Sequence, residues 1–158
     1  MIDAKMTMET QKFNSWLNKT IKSHNVSTGV AIKKIGFDLL ENILRPEPYG
    51  RHPIDTGRSQ AGWYASVKGL GKDYNFGSGP GVEQGKREGS FVDKTGALFS
   101  NKYIEFINGV RYIVYLEYGH SEQAPAGMVR ISMRKMTGKL PKEINDRFKK
   151  DWNKFRVI

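Results

Sequence analysis

The chain has no cysteine among its 158 residues. A disulfide framework, a thiolate metal site and a cysteine nucleophile are all excluded, and a reducing compartment is the natural setting. It also lacks any run approaching the roughly 20 apolar residues of a membrane-spanning helix, so no membrane partner is expected. The opening Met-Ile-Asp-Ala-Lys-Met-Thr-Met-Glu has no apolar stretch of the kind a secretory leader needs, so the expectation is a protein made in a cytoplasm that stays there or leaves it by lysis. The three histidines, His24, His52 and His120, are far apart and none has a second histidine two to four positions away, so neither a metal nor another cofactor is expected. Gly77-Ser-Gly-Pro-Gly could aim amides at a phosphate, but no Gly-Lys-Ser/Thr ending follows it. A hydrolase would have to recruit His120 with Glu117, Asp55 or Ser121, and no nucleophile elbow or paired-carboxylate pattern supports that. No enzymatic activity is expected.

What is present is charge and a patterned apolar minority. Lysine and arginine outnumber acidic residues by 26 to 16, a formal charge of +10, while 38% of residues are apolar. The length suits one domain spanning 1–158. The densest basic group is Arg130, Arg134, Lys135, Lys139, Lys142, Arg147, Lys149, Lys150, Lys154 and Arg156. It reads as a C-terminal basic face, either a solvated helix surface or an attachment site for nucleic acid or acidic protein.

Periodicity predicts an α+β fold. Phe13, Trp16, Leu17 and Ile21 mark a short helix from Glu9 to about Ile21. Ile32, Ile35, Leu39 and Ile43 mark a second, capped at Ser27 or Thr28 and ended by Pro46. Asp55-Thr56-Gly57 is a turn in which a side-chain oxygen accepts following amides. Trp63, Ala65 and Val67 alternate as a strand would, with Trp63 in the core. Residues 69–96 hold 8 of the 17 glycines and few large apolar side chains; the expectation is a long mobile loop that builds no core and orders on assembly. A strand follows within Leu98–Ile107, and Asn108-Gly109 signals a reversal. The β-branched and aromatic content of Val110–Tyr118 says strand, making a hairpin about Asn108-Gly109. Pro125 is expected to open a helix through Met128, Val129, Ile131, Ser132 and Met136, interrupted at Gly138. Pro141 opens another with Ile144, Phe148, Trp152 and Phe155 on one face. Tyr112, Tyr115 and Tyr118, three apart, fall on one helical face, a usage common where one side is buried and the other meets a partner.

Two separated blocks carry a family resemblance. His52-Pro-Ile-Asp-Thr-Gly-Arg-Ser-Gln-Ala-Gly-Trp63 is similar to a Pro-Val-Asp-Thr-Gly-Arg … Trp motif. Tyr112 to Arg130, with Leu116-Glu-Tyr-Gly and Gln123-Ala-Pro-Ala-Gly-Met-Val-Arg, resembles the second signature of the same family, the neck and tail-completion proteins of tailed bacteriophages, which include the minor tail protein Z-like group. The two blocks cover about a fifth of the chain. The resemblance implies a short helix ending at Gly119, so strand only to about Arg111 and helix after it is the favoured reading of Val110–Tyr118, and it implies a structural virion protein that completes the tail and joins it to the neck. It implies a ring of copies, six favoured over twelve, contacting head-completion and tail-terminator or tail-tube proteins, with phage DNA passing through the lumen. The interface residues it implies are Asp55, Thr56, Gly57, Arg58, Trp63, Tyr112, Glu117, Tyr118, Gly119, Pro125, Met128 and Arg130. Glu117 is expected to accept backbone amides or to pair with Arg58 or Arg130. The alternatives are a tail-terminator protein capping the tail tube and a basic DNA-binding protein.

Overall fold

The structure is a computed structural model in which residues 10–45, 52–96 and 101–136, together with 146, 149 and 150, are described. Helix α1 (Thr10–Leu44) is followed by α2 (Arg58–Ala61), α3 (Tyr64–Gly69), α4 (Val82–Glu88), β1 (Gly89–Asp93), β2 (Ile104–Asn108), α5 (Ile113–Glu117) and α6 (Val129–Met136). The fold is α+β, with helices around a two-stranded antiparallel sheet.

The two expected N-terminal helices are one. Ser27 and Thr28 do not cap a second helix; they lie inside α1, Ser27 buried. Ser and Thr are tolerated within a helix that other contacts hold. Ala31, Leu40, Ile43 and Leu44 are buried, the last two lying three and four residues after Leu40, and the helix stops just before the predicted breaker Pro46.

The expected strand around Trp63 is absent. Residues 58–69 form α2 and α3, and the buried positions Trp63, Ser66 and Val67 follow the helical period. The glycine-rich segment departs further from expectation. Residues 69–96 contain α4 and β1, and Phe76 and Val82 enter the core. Gly81, Val82 and Gly85 form the buried face of the α4 region. Its glycines mark close approach. A Cβ at Gly85 would lie 2.1 Å from the Arg58 carbonyl oxygen, and one at Gly89 would lie 2.0 Å from that of Gly62, so only hydrogen lets these backbones meet.

β1 and β2 pair with Phe91 opposite Phe106, their rings stacked at 5.8 Å. Asn108 does not make the expected hairpin reversal; it ends β2, donating through Nδ2 to the Ser59 carbonyl at 2.8 Å. The core gathers Leu40, Ile43 and Leu44 of α1 with Ala61, Trp63, Val67, Phe76, Val82, Ala124 and Met128. The anticipated helix from Pro141 and most of the C-terminal basic group lie outside the described residues.

Candidate functional site

The second motif block builds a connected turn. Residues 113–117 form α5, as expected for the stretch after Arg111, but the strand expected to run to about Arg111 ends at Asn108, and Gly119 reverses the chain at φ 86°. Pro125 does not open α6. Ala124, Pro125, Ala126 and Gly127 make a turn closed by the Gly127 amide on the Ala124 carbonyl at 3.1 Å, with proline and glycine at the second and fourth positions that turns prefer. Gly127 has φ 82°, outside the helical region, so α6 cannot begin before it. Added Cβ atoms at Gly119 and Gly127 would lie 2.2 Å from the Pro125 oxygen and 2.3 Å from the Glu117 oxygen. Both glycines are therefore demanded by conformation and by contact.

Glu117 caps α6 across this turn. One carboxylate oxygen accepts the Met128 and Val129 amides, each at 2.8 Å, and the other accepts the Arg130 amide at 2.8 Å. Arg130 returns the contact, its Nε donating to the carboxylate at 3.1 Å and its Nη2 to the Glu117 carbonyl at 2.6 Å. Burial pushes the Glu117 carboxyl upward, but the three amides and the guanidinium outweigh it and hold the group below the usual carboxylate range. A negative charge at the start of α6 also opposes the helix dipole favourably. Glu117 and Arg130 are thus structural partners.

The first block packs on this turn. Gly57 adopts φ 76° in the Asp55-Thr56-Gly57 turn, where the Thr56 hydroxyl accepts the Arg58 amide at 3.5 Å. Arg58 forks onto Glu88, with Nε donating at 2.9 Å and Nη2 meeting the second oxygen, and lies 5.9 Å from the Tyr112 ring centroid. Within the subunit, Arg58 therefore pairs with Glu88 and not with Glu117. The Ile54 amide donates to Gln123 Oε1 at 3.0 Å, while Trp63, Ala124 and Met128 share one cluster. Trp63 and Met128, both named by the resemblance as interface residues, are core and unavailable to a partner of the folded subunit.

His52 is buried beneath this junction. Its Nδ1–H donates to the Pro53 carbonyl at 3.2 Å and its Nε2 accepts from Trp63 Nε1 at 3.2 Å, a pattern satisfied only by the neutral ring. Burial lowers its pKa from 6.5 to about 4, opposed in part by the Pro53 contact. His120 donates to the Tyr115 carbonyl at 3.2 Å, and the Ser121 hydroxyl accepts the Gln123 amide at 3.3 Å. Of the candidate hydrolase residues, Glu117, His120 and Ser121 each hold a backbone group of this turn. His24 lies on α1, its side chain outside the described residues. Among the described residues there is no group of three His, Asp or Glu placed to hold a metal ion, and no helix long and apolar enough to cross a membrane.

The junction presents an aromatic face. Tyr115 is 63% and Tyr118 66% exposed, beside the exposed Val114. Arg130 stacks 5.0 Å from the Tyr118 centroid, and Tyr115 meets His120 edge to face at 5.8 Å. Tyr112 turns towards Arg58 instead, so the three tyrosines do not act as one stripe. Sequence reasoning missed Glu88 and Gln123. A glutamate inside a glycine-rich run and a glutamine before Ala-Pro carry no local signal of partners 30 and 69 positions away.

No family model, curated protein or solved structure matches the chain.

Proposed function

We propose that this chain is a structural, non-enzymatic subunit of the head-to-tail joining region of a tailed phage, assembling as a ring that completes the tail and links it to the neck. The observation that carries the reading is the convergence of the two motif blocks. Far apart in sequence, they meet through Ile54–Gln123, Arg58–Tyr112 and the Trp63–Ala124–Met128 cluster. Residues that resemble one family's paired signature therefore belong to one structural unit.

The chemistry of the junction agrees. Arg58, Glu117, His120, Ser121, Gln123 and Arg130 are engaged in turns, caps and ion pairs, while large apolar and aromatic side chains stand in solvent around Tyr115 and Tyr118. Tyrosine and arginine are the residue types that concentrate binding energy in protein interfaces. A closed ring needs a heterologous contact, one face of each copy fitting a different face of the next. The Val114–Tyr115–Tyr118 surface supplies one side, and the ring would sit in the virion between head-completion and tail-terminator or tail-tube proteins, its lumen open to DNA.

Electron microscopy of the purified chain tests this reading. Closed rings with an axial opening are expected; open filaments or persistent monomers overturn it. The net charge of +10 favours one rival, direct nucleic-acid binding. Salt-dependent binding of duplex DNA by isolated monomers, without rings, would establish that rival instead.

A further inference from the structure

A ring contact needs a receiving face as well as the tyrosine face, and the middle of α1 has the form of one. Val26, Gly29 and Val30 floor a groove of about 400 Å³ between the helix and a wall of Thr95, Gly96 and Lys102. Val26 is 54% and Val30 42% exposed, although both line a concavity. The wall is held in place. Asp93 accepts both the Thr95 amide at 2.9 Å and its hydroxyl at 2.7 Å, and Gly29 lets the wall approach α1, since a Cβ there would sit 3.0 Å from the Thr95 oxygen.

The tyrosine face sits at the other end of α1. Ile113 and Leu116 of α5 pack on the cluster that holds Leu40, Ile43 and Leu44, while Val114, Tyr115 and Tyr118 stand exposed, and from Val26 to Leu40 the helix advances about 21 Å at 1.5 Å per residue. Two faces so far apart serve two different neighbours. Each copy can give its tyrosines to one and its groove to the other, as closure of a ring requires.

The chemistry of the two faces is complementary. Tyrosine has an apolar ring and a polar tip, and the groove has an apolar floor and a polar rim, so rings laid on Val26 and Val30 put their hydroxyls at that rim. Charge matches as well. Lys33 is paired with Asp93, Lys102 donates to the Thr95 carbonyl and Arg130 is paired with Glu117. Among the described residues the exposed Lys22 at the groove and the exposed Glu122 in the turn after Tyr118 have no ion pair, which leaves one ammonium for one carboxylate. Tyr103 and Ile107 on β2 and its approach are also exposed, but Glu105 stands exposed between them and would meet Glu122 as a like charge. Resting on the ring reading, we propose that the Tyr115–Tyr118 face of one copy docks in the α1 groove of the next, with Glu122 of the first against Lys22 of the second.

The test mixes two variants of the full chain and measures mass in solution. Val26→Asp with Val30→Asp spoils the groove and keeps the tyrosine face; Tyr115→Ser with Tyr118→Ser does the reverse. Each alone should be a monomer with its thermal midpoint in place. The mixture should give one-to-one dimers and nothing larger, because such a pair has one intact contact. In a charge exchange, Lys22→Glu should weaken assembly about tenfold or more, and adding Glu122→Lys to the same chain should restore it. If the unaltered chain closes but the groove variant closes too, or the mixture stays monomeric, or the exchange fails to restore assembly, the groove assignment is overturned and the ring reading stands. A monomeric unaltered chain overturns both.

Discussion

The turn between α5 and α6 and the segment from Gly69 to Gly96 are both rich in glycine, yet glycine does different work in each. In the turn, Gly119 and Gly127 take positive φ and reverse the chain around the Glu117 carboxylate. In the segment, Gly85 and Gly89 lie against the carbonyls of Arg58 and Gly62 and let α4 and β1 approach the first motif block. In the turn, conformation and close contact fall on the same two glycines; in the segment they are divided, with positive φ at Gly71 and Gly77 and close contact at Gly85 and Gly89. Composition alone suggests mobility for the second; packing makes it a wall of the core.

The sharpest way to break this comparison is to fill the space at Gly85. Gly85→Val should destabilise the fold by about 3 kcal/mol, because its Cβ meets backbone that cannot swing aside. Urea denaturation measures it. A change within about 0.5 kcal/mol, as expected for an exposed loop, would restore the mobile-segment reading.

Acid should strike the motif junction with almost equal force. His52 has a folded pKa of about 4 against 6.5, so on acidification the unfolded chain takes up the proton first. Its contribution is intact above about pH 6.5 and is lost progressively down to about pH 4, for a total of about 3 kcal/mol. Glu117 acts in the same direction lower down: its depressed carboxyl stabilises above its ordinary value of 4.5 and loses that effect as pH falls through the folded value. Unfolding free energies between pH 7 and 4 should therefore slope downward, and His52→Gln should flatten the upper part of the slope. An unchanged slope would mean that another group governs it.

Removing the cap tests the turn itself. Glu117→Ala leaves three amides at the start of α6 without their acceptor and should cost about 2 kcal/mol, with hydrogen exchange accelerated most in α6. Uniform acceleration across the molecule would show that the cap is not local.

These contrasts also explain what could be read from the sequence. The C-terminal half of α1 was legible because Ile32, Ile35, Leu39 and Ile43 keep the helical period, and Glu117 was legible as an acceptor because a carboxylate precedes a turn and a helix. The entry of α6 was misplaced because Pro125 fits the second position of a turn as well as the first of a helix, and Gly127 decided between them. Trp63, Ala65 and Val67 alternate by chance; Trp63 and Val67 are also four apart, and burial of Ser66 beside them follows the helix. The buried face of α4 was invisible for a stronger reason. Two of its three members, Gly81 and Gly85, have no side chain to count as apolar. Met128 was named a partner contact by the family resemblance, whereas the structure buries it in the core cluster with Trp63 and Ala124.

The account's central claim is that the aromatic face on α5 serves assembly and not the fold. Tyr115→Ser combined with Tyr118→Ser should change stability by no more than about 0.5 kcal/mol, since both rings stand mostly in solvent. The direct measurement is the mass of the purified chain in solution, with and without that double substitution. The account predicts a closed multiple, six copies being the expected number, for the unaltered chain and a folded monomer for the variant. A monomer in both cases, or the same multiple in both, would contradict it.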